Sequence, residues 1–204
     1  MKVLPIKSEE TYPWLLKKHY AKRIPSISFA FGLYDKTELI GIITYGKPAS
    51  PQLCFGVCGN ENKDIVWELN RLCIKDGVKN GASILVGQSL KLLPCPAIIV
   101  SYADSAMNHI GYVYQATNFY FTGTTKERTD MASEDGKHSR HSKGNPEDRV
   151  FRSAKHRYIY FVGSKNQKKD LLKSLNYEIL PYPKGNTLKY DAGGKVQTQE
   201  LLFV

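Results

Sequence analysis

AIIVSYADSAMNHIGYVYQATNFYFTG, Ala97 to Gly123, is the stretch on which the fold reading turns. Its first eight residues, AIIVSYAD, are almost wholly apolar. A strand without polar alternation is one covered on both faces, as in a sheet layered with helices. Pro94 and Pro96 stand just before it. They stop the helix that the spacing of Leu85, Val86, Leu90 and Leu93 predicts over Ala82–Leu93. Upstream, IVWELNRLCI (Ile65–Ile74) reads as another strand. SISFAFGLYD and KTELIGIITYG, Ser26–Asp35 and Lys36–Gly46, form a hairpin turning at DKTE and ended by Pro48 and Pro51. A helix capped by Ser8 or Thr11 is expected at Tyr12–Tyr20. Downstream follow a short helix through His109–Phe119, a strand from Tyr120, a strand at His156–Gly163 and a helix at Asn166–Leu175 capped by Asn166. Hairpins mixed with crossover helices give a mixed sheet of the α/β class.

The 204 residues fit one domain, with no internal repeat and no boundary. Between Thr124 and Arg149 lies a polar arm with one apolar side chain beyond alanine. No apolar run is long enough to span a bilayer, and the opening MKVLPIKSEETYPWLL reads as neither signal nor transit peptide. No membrane partner is expected, and the chain is expected in the cytoplasm. The four cysteines make no CxxC pair and read as buried, reduced thiols. Lys and Arg number 29 against 19 Asp and Glu, a net charge of +10. An excess so large favours a polyanionic partner, because each phosphate contact releases condensed counterions. Fifteen of the basic residues, against eight acidic ones, lie between Lys126 and Lys189.

Ser101, Tyr102 and Asp104 stand at the C-terminal end of the buried strand, the edge where open α/β sheets bind ligands. Asn108, His109, Tyr112, Tyr114, Gln115, Asn118 and Tyr120 follow closely. Asp, His and Tyr supply acid–base chemistry, while Gln and Asn suit the edge of a heterocycle. Aromatic rings suit a base turned out of its stack. Each also has a structural reading, Asp104 as a helix cap and His109 as an ordinary surface or core histidine. Asn80, Gly81, Ala82 and Ser83, in KDGVKNGAS, open a helix whose free N–H groups suit an anion. Arg71 suits a phosphate or a carboxylate, or else an internal ion pair with Glu68. In the arm, Lys137, Arg140 and Lys143 suit DNA phosphates, with His138 and His141 near bases; Arg157 extends the same face.

Several long motifs go further. VWELNRLCI, ASILVGQSLKLL and the opening stretch, with HYAKRIP, GKPAS, DGKHSRH and KHRYIYFVGSKNQKKDLLKSLNY, resemble the bacteriophage Mom family of DNA-modification proteins over Tyr12 to Pro183. The resemblance implies a GNAT-like fold, a mostly antiparallel sheet flanked by helices with a V-shaped splay between two central strands. It implies conversion of adenine in phage DNA to N6-carbamoylmethyladenine, which protects the DNA from restriction. It also implies a small-molecule group donor, acetyl-CoA or a related acyl-CoA, held by Asn80–Ser83, and an association with iron. Double-stranded DNA is the implied partner, and the oligomeric state, a homodimer included, stays open. Carried onto this chain, the family pattern marks Glu68, Asn70, Arg71, Ser101, Tyr102, Asp104, His109, Tyr114, Gln115, Asn118 and Tyr120. Tyr114 or Tyr120 is the implied general acid, and Asp104 or His109 the group that polarises the adenine amine.

Overall fold

The computed structural model describes residues 1–131 and 149–185. Seven strands form one sheet in the order β1-β2-β3-β4-β5-β9-β6. They are β1 (Lys2–Pro5), β2 (Phe29–Asp35), β3 (Glu38–Gly46), β4 (Val66–Ile74), β5 (Ala97–Asp104), β6 (Tyr120–Thr124) and β9 (Lys155–Val162). All neighbours are antiparallel except β4 and β5, which run parallel at the centre. The expected hairpin is β2–β3. The four-residue β1, KVLP, is too short to announce itself in the sequence, yet it pairs with β2 from Lys2 to Pro5.

The helices depart from expectation in instructive ways. Instead of one helix over Tyr12–Tyr20, α1 (Ser8–Pro13) runs into a π-helical turn at Trp14–Lys18. Its N-cap is Lys7, and Thr11 donates its hydroxyl to Ser8 O rather than capping. Pro51 does not merely end a hairpin: it is the first residue of α2 (Pro51–Cys58), where a missing N–H costs nothing. A 3-10 turn at Asn60–Ile65 follows. Helix α3 is Gly81–Ser89, shorter than its apolar spacing suggests. Downstream of β5 come a 3-10 turn (Ser105–Met107) and α4 (Tyr112–Ala116). Ser164, not Asn166, caps α5 (Lys165–Lys173), in a reciprocal box with Gln167. The ends of the polar arm pair as a two-stranded ribbon, β7 (Arg128–Met131) with β8 (Arg149–Arg152). Of the cysteines, Cys58 and Cys73 are buried and Cys54 half-buried, while Cys95 is exposed, against expectation.

The two faces of the sheet differ. Under α3 and α4, Leu33, Tyr45, Leu69, Leu85, Ile99, Phe119 and Tyr158 belong to one continuous cluster. On the opposite face the apolar packing is in two pieces. Val57, Val66, Ile98, Val100, Phe161 and Leu171 pack with α2 and α5, and Leu15, Ile42 and Cys73 with the π-turn. Two features of β4 explain the gap. Its ladder with β5 covers only Val66–Leu69 against Ile98–Ser101, after which the two strands have no paired residues. Its register against β3 also slips, Tyr45 facing Leu69 and Thr44 facing Arg71, so that Asn70 is a one-residue bulge. Glu68 and Arg71, three apart, would otherwise point to opposite faces. The bulge turns Arg71 to the side of Glu68, into the gap between the two clusters.

Candidate active site

Arg71 is the centre of that gap. Nη1 donates to Asn70 O at 2.6 Å, while the buried Nε has no hydrogen-bond partner among the described residues. Burial, and after it the Arg23 guanidinium, pushes the Arg71 pKa down. Arg23 is lowered likewise, by burial and then by Arg152. The Glu68 carboxyl is pushed up by burial, against the pull of Arg71, Lys155 and Arg23. Among the described residues no ion pair within 4.0 Å joins Glu68 to Arg71. Two half-buried guanidiniums, one with an unspent donor, therefore meet in the gap between the clusters, a cleft that suits an anionic or strongly accepting ligand.

Asp104, at the end of β5, has both oxygens engaged. Oδ1 accepts from Ser153 Oγ at 2.5 Å and Ala106 N at 3.1 Å; Oδ2 meets Lys155 Nζ at 3.1 Å. Burial raises its pKa, but the Ser153 bond, the Lys155 charge and the Ala106 amide outweigh it and hold the carboxyl below its usual value. Asp104 is thus a fixed anion that ties the root of the β7–β8 ribbon to the sheet. His109, whose amide donates to Asp104 O, is lowered by burial against the opposing charge of Asp104, and its imidazole is neutral at pH 7. Tyr102 is raised by burial and then by Glu68.

His19, Tyr20 and Arg23 join the site without having been expected there, and Lys155, expected beside Arg157 on the basic face, reaches Asp104 instead. His19 stacks on Tyr20 at 4.4 Å, and Tyr20 meets His109 edge-on at 6.1 Å. His19 Nδ1 accepts from Ala21 N at 3.0 Å, and burial, with Arg71 next, lowers its pKa to about 3. The segment carrying these residues is pinned by Asn70, whose amide nitrogen donates to Ser26 O at 2.8 Å while its oxygen accepts from buried Thr44 at 2.6 Å. Gly46 permits this approach: a Cβ there would sit 1.9 Å from Ser26 O. HYAKRIP was the available signal, a cationic aromatic cluster with no apolar period.

Other expected site residues lie elsewhere. Ser101 is fully buried and donates to Leu69 O at 3.0 Å, closing the ladder where the strands part. Tyr114 is buried in the closed-face cluster with Phe119 and Tyr158. Gln115 donates to Ile110 O and Tyr158 Oη, bracing that turn. Asn118 is an exposed turn residue at φ +60°. Tyr120 packs on the opposite face against Phe161. Arg157 bonds Thr122 and lies 3.5 Å over the Tyr177 ring. Lys137, His138, Arg140, His141 and Lys143 lie outside the described residues.

At α3, Asn80 takes φ +58° and its carbonyl accepts from Ser83 Oγ at 3.0 Å. Gly81 is buried against Val78 and Ile74. The amides of Ala82 and Ser83 are in the first turn, where helical N–H groups have no acceptor within the helix. With the unpaired edge of β4 beyond Leu69 alongside, this cradle fits the phosphates of an acyl-CoA. Iron finds no such fit among the described residues. No three His, Cys, Asp or Glu side chains converge there, and the Asp104 oxygens are already engaged.

Among solved structures, an N-acetyltransferase from Staphylococcus aureus Mu50 overlays with a TM-score of 0.47 at 13% identity, covering 79% of this chain and 98% of its own. A probable acetyltransferase from Staphylococcus epidermidis ATCC 12228 gives 0.48 at 11%, covering 78% and 98%. The methylcarbamoylase mom of Escherichia phage Mu is 25% identical over 187 residues, 82% of this chain and 77% of its own. The sequence model of the Mom protein family matches residues 1–184, and the chain belongs to that family.

Proposed function

We propose that this protein is a transferase that modifies the exocyclic N6 amine of adenine in double-stranded DNA, adding a carbamoylmethyl or closely related group drawn from a small-molecule donor. The observation that carries the reading is the cleft beside the parted ends of β4 and β5. There Arg71, Arg23 and Lys155 concentrate positive charge around Glu68 and the neutral His109. Family membership, the phage Mu relative and the net charge of +10 support it.

The residues divide the work by their electrostatics. An adenine amine is a weak nucleophile, since its lone pair is shared with the ring, so a proton must leave as the new bond forms. Asp104, held anionic by Ser153 and Lys155, is a poor acceptor and acts by positioning. His109 is neutral and takes the acceptor role. Arg71 and Arg23 hold an anionic or carbonyl group against the amine, and the Ala82 and Ser83 amides cradle the donor's phosphates. An acyl-CoA, when bound, supplies a thioester-activated carbon. Acyl transfer would break the bond from that carbon to the CoA sulfur, whereas a carbamoylmethyl group joins nitrogen through a CH2, so its donor must carry a leaving group on the methylene, which N6 displaces while His109 takes the amine proton.

Mass spectrometry of nucleosides from plasmid DNA of cells expressing the protein tests this. A modified deoxyadenosine that disappears in the His109→Ala protein is expected. Soluble, folded protein with unmodified adenosine overturns the reading. A modified protein or small amine in its place assigns the fold to ordinary acyl transfer.

A further inference from the structure

The β7–β8 ribbon has two unlike sides. Its pairs are Arg128–Arg152, Thr129–Phe151, Asp130–Val150 and Met131–Arg149. Alternation places Arg128, Asp130, Val150 and Arg152 on one side. There Asp130 holds both Arg128 and Arg152 at 3.3 Å, and Arg152 lies close enough to the cleft to bear on Arg23. The other side carries Thr129, Phe151 and Arg149, all exposed. Phe151 is 49% exposed, an apolar ring with no aromatic or cation partner among the described residues. Among the described side chains of the paired residues, none on that side is acidic.

The root of the ribbon is fastened to the candidate active site. Asp104 accepts from Ser153, Ser105 N and Oγ both donate to Ala154 O, and Lys155 N donates to Thr125 Oγ1 at 3.0 Å. An exposed ring beside a guanidinium, on a ribbon hydrogen-bonded at its root next to a cleft, is unlike a solvated loop. Its match is a polyanion with apolar planes to stack on.

We propose that the outer side of the β7–β8 ribbon is a duplex-DNA contact, with Phe151 entering the base stack beside the target adenine and Arg149 on the flanking phosphate. This rests on the DNA-modifying reading above and deepens it by saying how a paired adenine reaches the cleft. A side chain wedged into the stack fills the space that a displaced base leaves and offsets part of the unstacking cost. The flanking guanidinium fixes the depth of entry by its phosphate contact.

Duplexes carrying 2-aminopurine in every nearest-neighbour context provide the test, since its fluorescence rises when the base unstacks and no group donor is needed. The full-length protein is expected to raise the emission at its preferred context by about tenfold. Phe151→Ala is expected to lose most of that rise, Phe151→Trp to keep it, and all three proteins to melt at the same temperature. When the probe faces an abasic site, already unstacked, Phe151→Ala and the parent are expected to give equal emission. Equal emission from Phe151→Ala and the parent on matched duplexes overturns the proposal, as does a parent protein that leaves the emission unchanged. A Phe151-dependent change of oligomeric state without one in emission assigns the surface to a second copy of this chain instead. Phe151-dependent emission without any modified adenine in cells upholds the wedge and overturns the proposed chemistry.

Discussion

Leu85 and Arg71 lie on opposite faces of the same sheet and mark two ways of using it. Around Leu85, nineteen of the described residues form one buried cluster, and the phenol of Tyr45, buried there, is paired with Ser89 at 2.7 Å. Around Arg71 the apolar packing divides into clusters of eight and three, with charge between them. The larger cluster suffices to carry the fold, which leaves the other face free to hold guanidiniums and a carboxyl that a closed core would expel. Burying those groups costs stability, a cost that the proposed ligand would offset.

Three substitutions test that division. Arg71→Met is expected to lower adenine modification by about a hundredfold or more, because a buried charge that grips a ligand is worth several kcal/mol. Its melting temperature is expected to hold or rise, since exchanging a buried charge for an apolar chain is often neutral or stabilising. Leu85→Ala is the mirror case, costing about 2–5 kcal/mol in denaturant melts and lowering modification only as folded protein declines. If Arg71→Met unfolds the protein, the open face is structural and the contrast fails. Asn70→Ala is expected to cost about 1–3 kcal/mol, because it strands the buried Thr44 hydroxyl and frees Ser26. Amide exchange should then quicken around residues 19–28 while α3 stays protected; uniform quickening would mean that Asn70 serves the whole sheet.

The smallest effect is a pH slope. His19 has a folded pKa of about 3 against 6.5 unfolded, so the unfolded chain binds the extra proton between those values. Stability is therefore full above about pH 6.5 and falls by roughly 1.4 kcal/mol per pH unit below it. His19→Gln is expected to flatten that fall between about pH 6 and pH 5. Asp104, lowered in the folded state, contributes in a separate window, its stabilisation being lost only as acid protonates it below the ordinary carboxylate range. Parallel slopes for parent and His19→Gln would show that the imidazole is not buried neutral.

Much of the closed face was legible in the sequence, because an apolar strand and a helix spaced like Leu85, Val86, Leu90 and Leu93 can only pack together. The open face was harder. Asp104 and His109 drew notice as polar groups at a strand end, and Glu68 and Arg71 through a motif. That the last two share a face depends on a register slip at Asn70, which leaves no mark in residue order. Tyr114 and Gln115 are marked by proximity in sequence and by the family pattern, and β5 and α4 deliver them to the closed face. The four-residue strands β1, β7 and β8 escaped notice because each is too short for alternation to show and draws its stability from a partner distant in sequence.

The bulge at Asn70 has a consequence for descent as well as for shape. It shifts the phase of β4 midway, so the half before it and the half after it keep their own alternation. Leu69 and Leu72 continue the pattern that the core requires, while Glu68 and Arg71 share the opposite side. Selection for a different substrate can thus exchange the charged pair without rewriting the residues that hold the sheet together. Loss of residue 70 is the change such a lineage cannot make freely: it would turn Arg71 and Cys73 toward α3, and Leu72 into the cleft.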